Sequence, residues 1–174
     1  LFPQYSGTTS GTIIESVFDE LKKWRWMPSV QVISDYHDHP AYLSAVAESV
    51  RAFWAESQNP GKLIFSFHGI PKDYVEKGDP YEAQCQRTAA LIAEELSLEK
   101  DFWLATFQSR LGRGEWLKPY TDEILAKLGR EKLSGLNVLA PGFAVDCLET
   151  IDEIARDGRK KFQNAGGGEF RYIP

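Results

Sequence analysis

The chain has 174 residues, enough for one domain with a real core and no need of disulfide or metal staples. Hydrophobic residues make up 43% and charged residues 26%, ordinary globular values that exclude a disordered tail or a fibre. Twenty basic against twenty-five acidic residues leave a net charge of −5, the wrong sign for a nucleic-acid-binding face.

Ser10 caps a predicted helix over about 11–24, with Ile13, Ile14, Val17, Phe18 and Leu21 on one face. Pro28 ends that region, and Val30-Gln31-Val32-Ile33 reads as a short strand. Pro40 opens a helix to about Glu56, after which Asn59-Pro60-Gly61 turns the chain. Leu63-Ile64-Phe65-Ser66-Phe67 has the unbroken apolar character of a buried strand. Asp79, Pro80 and Glu82 read as N-cap, N1 and N3 of a helix to about Leu96. Phe102 to Phe107 is the next strand. Thr121 caps a short helix to Leu128, stopped by Gly129. Leu136 to Ala140 is a strand, a helix follows from about Asp146 to Phe162, and Phe170 to Ile173 is the last strand.

Strand and helix alternating at this spacing predict an α/β fold: a doubly wound, mainly parallel sheet flanked by helices, of Rossmann type. Such sheets bind ligands beyond the carboxyl ends of their strands. That rule selects Asp35 to His39, His68 to Pro71, Gln108 to Trp116 and Pro141 to Glu149. No apolar run approaches the roughly 18 residues of a membrane span, and no charged-then-apolar leader opens the chain. Cys85 and Cys147 lack CxxC spacing, so both read as small apolar positions in a reducing, cytoplasmic setting, at most peripheral to a membrane. A chain that opens on Leu1 and closes on Tyr172-Ile173-Pro174 reads as a piece of a longer one.

His68 directly follows the strongest strand, and Gly69 and Pro71 turn the chain there. Either it is a loop histidine or it is a base or metal ligand, since imidazole titrates nearest neutrality. Glu149, Glu153 and Asp157 recur at i, i+4 and i+8, one carboxylate row along a helix. The row is either a solvated acidic face or a path for cations or protons toward Glu149. An imidazole and a carboxylate together suit a divalent first-row metal, and two ligands are too few for a closed structural site. Trp116 in a glycine-bearing loop and Phe143 in Pro141-Gly142-Phe143 are placed to form an aromatic lip. His37 and His39 flank Asp38 in a polar turn. Gly166-Gly167-Gly168 follows a helix and lacks Lys-Ser/Thr, so it is no phosphate loop.

Six segments resemble the ferrochelatase family. They are Pro3-Gln4-Tyr5-Ser6 with Thr8-Thr9-Ser10-Gly11; Phe65 to Pro71; Gly78-Asp79-Pro80-Tyr81; Thr106-Phe107-Gln108-Ser109-Arg110; Trp116-Leu117 with Pro119 to Glu123; and Pro141-Gly142-Phe143 with Asp146 to Thr150. The resemblance covers nearly the whole chain and implies the second of two similar α/β halves plus a linking segment, residues 1–174 forming one half-domain. It implies insertion of Fe²⁺ into a porphyrin, the terminal metallation step of haem synthesis, by a lyase whose isolated half would be inactive. His68 and Glu149 match the family's catalytic histidine and glutamate, and Glu153 and Asp157 its acidic row on a helix with a π-turn. Trp116, Phe143, Asp146 and Tyr5 match substrate contacts. The metal set it implies is His68, Glu149, Glu153 and Asp157. Porphyrin and Fe²⁺ are the implied substrates, with no permanent prosthetic group. An animal-type [2Fe–2S] cluster is not expected, because Gly7 stands where one cluster ligand would lie.

Three other readings compete. A hydrolase would need a Gly-x-Ser-x-Gly elbow, and none is present. A half-site that binds porphyrin or metal without turnover, and a related chelatase for Co²⁺ or Ni²⁺, both remain open.

Overall fold

The computed structural model describes residues 2–56, 61–112 and 114–174. Four strands form one sheet: β1 (Lys62–His68), β2 (Trp103–Gln108), β3 (Gly135–Leu139) and β4 (Glu169–Ile173). Their order is β2-β1-β3-β4 and every pairing is parallel. Helices join consecutive strands, as parallel pairing requires. α3 (Lys72–Glu76) and α4 (Tyr81–Glu95) lie between β1 and β2, α5 (Thr121–Arg130) between β2 and β3, and α6 (Arg159–Asn164) between β3 and β4, while α1 (Thr12–Leu21) and α2 (Pro40–Ala55) precede β1. A π-helix, Glu149–Gly158, runs directly into α6, and a π-turn, Gly7–Gly11, leads into α1. The α/β architecture expected from the alternation is therefore present.

The period of two along β1 sorts its side chains into the two cores. Leu63, Phe65 and Phe67 pack with Leu43 and Val50 of α2 and with Cys85, Ala89 and Ile92 of α4. Ile64 points the other way and joins Leu125, Ile154 and Phe162. Both faces are covered, which explains why β1 and β3 read as nearly unbroken apolar runs. Phe67 is fully buried, and truncating it to alanine would cost about 3–5 kcal/mol. That rigidity holds the carboxyl edge in place.

Several local expectations are corrected. The first helical segment begins at Gly7, because Ser6, not Ser10, accepts the N-terminal amide of Thr8; Ser10 is buried inside it. Residues 30–33 pair with no strand, so the predicted strand is absent. Gly129 does not stop α5 but lies within it, where a Cβ would meet the Phe162 carbonyl at 2.4 Å; it permits close approach of α5 and α6. Thr121 is no cap either: its hydroxyl bonds Ser66 and Thr106 in the core. The Asn59-Pro60 turn lies outside the described residues. Among the described residues, no helix is long and apolar enough to cross a membrane.

Candidate active site

β1 and β2 end in register, His68 opposite Gln108. The chain turns at Gly69, whose N–H donates to the Gln108 carbonyl at 2.8 Å. A Cβ at Gly69 would sit 2.9 Å from that carbonyl and 3.3 Å from the Trp116 ring, so glycine lets the ring close over the turn. The backbone at Trp116 bridges to Pro71. His68 is half-buried, with Nδ1 2.7 Å from the Gly69 carbonyl oxygen. A carbonyl only accepts, so Nδ1 carries the proton. In the neutral ring Nε2 is left with a free lone pair.

His68 and Trp116 line a cavity of about 930 Å³ together with Phe143 and Cys147 from the loop after β3. Gln4, Ile70 and Tyr74 complete much of its wall, which is mostly apolar. The volume stands near the top of the roughly 300–1,000 Å³ usual for small-molecule sites, so it suits a large flat ligand.

Glu149 begins the π-helix two residues beyond Cys147 of the cavity wall and is exposed to solvent. A hydrogen bond with the Cys147 side chain holds its carboxyl below the ordinary glutamate range; its own backbone N–H and the nearby His68 act in the same direction. Glu149 is therefore a carboxylate at neutral pH. Gln108 Nε2 donates to the Glu149 carbonyl at 2.8 Å, tying the helix start to the end of β2. Gln108 is buried, and its Oε1 accepts from Ser66, which also bonds Thr121. A polar chain thus runs from the core to the helix.

The structure brings His68, Glu149, Trp116 and Phe143 to one edge, as their positions after strands predict. The other carboxylates do something else. Glu153 accepts from both the N–H and the hydroxyl of Ser109, a residue held at φ +64°. Asp157 is exposed and bonds Arg156 at 3.1 Å and Lys160 at 3.4 Å, which lower its pKa. Among the described residues no group of three or more His, Cys, Asp or Glu is arranged to hold a metal ion. Asp146 accepts from Tyr172 at 2.6 Å and from Thr150 at 2.9 Å, bracing the start of the π-helix. Tyr5 lies outside the large cavity: its N–H is anchored by Gln84 and its hydroxyl abuts Gly11. His37 is held by Asp35 at 2.6 Å, and His39 accepts the Ala41 amide at the start of α2.

Cys147 is the residue that sequence reasoning missed. It was expected to be an apolar filler, as Cys85 is, yet it sits on the cavity wall against Glu149. Its place in the loop after a strand was the available signal.

A family model described as Ferrochelatase matches residues 1–174. The chain is 54% identical over 174 residues to a ferrochelatase of Thioalkalivibrio sulfidiphilus, covering all of this chain and 47% of that protein. It is 52% identical to one from Methylococcus capsulatus, covering 54% of that protein, and 50% identical to one from Nitrosococcus oceani, covering 47%. The chain thus spans about half the length of the curated relatives it matches.

Proposed function

The chain belongs to the ferrochelatase family, and on that premise we propose that it supplies the metallating edge of an enzyme that inserts Fe²⁺ into a porphyrin, the last metallation step of haem synthesis. The observation that carries this reading is His68, on the wall of one large apolar cavity, beside the ionised Glu149 carboxylate.

The chemistry asks for those groups. A free porphyrin carries two N–H protons inside a flat ring, and metal cannot reach the nitrogens in the plane. Bending the ring exposes nitrogen lone pairs on one face. Contacts along the ring's apolar periphery, Trp116 and Phe143 among them, supply binding energy for the bend. His68 Nε2 takes the N–H protons one at a time, passing the first to solvent before it accepts the second. Glu149 replaces part of the water shell of the incoming Fe²⁺. Two protons leave as one Fe²⁺ enters, so charge balances without any change of oxidation state. On this reading the half described here is the second of two, and a cleft between them holds the porphyrin in a cytoplasmic enzyme.

Anaerobic metallation by the full-length protein tests the proposal. Fe²⁺ should enter a dicarboxylic or tetracarboxylic porphyrin catalytically, and faster than Co²⁺ or Ni²⁺ enters a reduced tetrapyrrole. Tight porphyrin binding with no turnover would reduce the site to a binding module. Preference for the reduced ring would assign it to a different chelatase.

A further inference from the structure

Phe143 reaches the large cavity from a loop that opens on a tight turn. The Phe143 N–H donates to the Ala140 carbonyl at 3.1 Å, which makes Ala140-Pro141-Gly142-Phe143 a β-turn. Pro-Gly at the two central positions is the composition of a type II turn, in which the second of them takes a positive φ. Gly142 keeps its φ out of that region. The central peptide therefore does not face the way its own sequence favours.

The group that holds it lies outside the loop. Tyr42, in the first turn of α2, donates its hydroxyl to the Pro141 carbonyl at 2.7 Å. That carbonyl belongs to the central peptide, and a change to type II would swing it away from Tyr42. Burial pushes the Tyr42 pKa up, so the hydroxyl keeps its proton and stays a donor. The ring is itself held, edge-on to Tyr36 with centroids 5.4 Å apart. Tyr42 does not line the large cavity. It stands behind the turn, on the wall of a smaller cavity of about 320 Å³ that Phe143 also lines. The Phe143 loop thus divides two cavities, with room to shift if the turn is released.

We propose that Tyr42 is a positioning residue for the substrate wall: its bond to Pro141 selects the turn that sets Phe143 at the large cavity. The inference rests on the reading in which Phe143 meets the porphyrin, and it adds a residue that touches no substrate to those that decide how well the ring is bound. Without the hydroxyl the turn divides between two orientations, and only the observed one is competent to bind.

Fluorescence titration of metal-free protoporphyrin into the full-length protein tests this without turnover. Tyr42→Phe keeps the ring and removes only the O–H. It should raise the apparent Kd about 3- to 10-fold, the range that one neutral hydrogen bond spans. Alanine disfavours positive φ, so Gly142→Ala holds the turn in its observed orientation. In that background Tyr42→Phe should change Kd less than about 1.5-fold, and it should add as little to Phe143→Ala. A tyrosine that serves stability alone would lower the melting temperature and leave Kd unchanged in every background. An unchanged Kd in Tyr42→Phe would overturn the proposal, as would the same loss with and without Gly142→Ala. Phe143→Ala alone checks the underlying reading and should weaken binding at least as much as Tyr42→Phe. If it binds porphyrin as the parent does, Phe143 is no substrate contact, and the reading of the site fails together with the inference built on it.

Discussion

At the sheet end of the π-helix, Glu149 keeps an ionised, exposed carboxylate beside His68 and Cys147. Further along the same helix, Glu153 is clamped by Ser109, and Asp157 sits between Arg156 and Lys160. Asp152 is paired with Arg156 at 2.8 Å as well. Like residues at regular spacing thus have unlike roles, because their neighbours differ. A carboxylate that already accepts two hydrogen bonds has little left to offer a cation. One already flanked by two cations attracts a third positive charge only weakly.

Substitutions can break this contrast or sharpen it. The largest losses should come from the open end: His68→Ala and Glu149→Gln in the full-length protein should each lower the rate of iron insertion at least about 100-fold, with unchanged melting temperature, measured by anaerobic metallation. Glu153→Gln should act through structure. It weakens two charge-assisted hydrogen bonds from Ser109, so denaturant titration should show a loss of about 1–3 kcal/mol, while turnover falls less than about ten-fold and the KM for iron stays put. A raised KM for iron would restore Glu153 to a delivery path. Removing the Cys147 thiol should let the Glu149 pKa rise toward the ordinary glutamate value, with Cys147→Ser closer to the parent than Cys147→Ala. Because the folded-state pKa is depressed, Glu149 stays ionised as pH falls to that ordinary value and protonates only below it. In Cys147→Ala the protonation midpoint moves to higher pH, which carbon-13 NMR of the Glu149 carboxyl can follow. The smallest effect belongs to Asp157→Asn, an exposed ion pair. Its melting temperature should hold within about 1 °C, and its metal dependence should not change.

The sheet was legible because buried parallel strands are short apolar runs bounded by turn residues, and β1, β3 and β4 fall within a residue or so of their expected limits. His68 and Glu149 were legible for a related reason: each follows a strand on the ligand-binding edge. The strand expected at 30–33 failed for want of a partner, since β-propensity states a preference that only another strand can satisfy. For the carboxylate row, i, i+4 spacing reports only a shared side of an α-helix. It says nothing of Ser109, brought in from the loop after β2, or of the wider turn of a π-helix. Cys147 was hidden by its type: a lone cysteine reads as core until its neighbours are known. Tyr5 was carried by resemblance alone; its backbone N–H bonds Gln84, and it does not line the large cavity.

The central claim is that His68 and Glu149 serve one step at one site, and a double-mutant cycle on iron insertion by the full-length protein tests it most directly. With porphyrin saturating, the rate is measured for the parent, His68→Ala, Glu149→Gln and the double variant. If proton removal and metal entry are coupled through this pair, the double variant loses about as much as the worse single. A double variant whose loss equals the product of the two single losses would show two independent contributions and contradict the account.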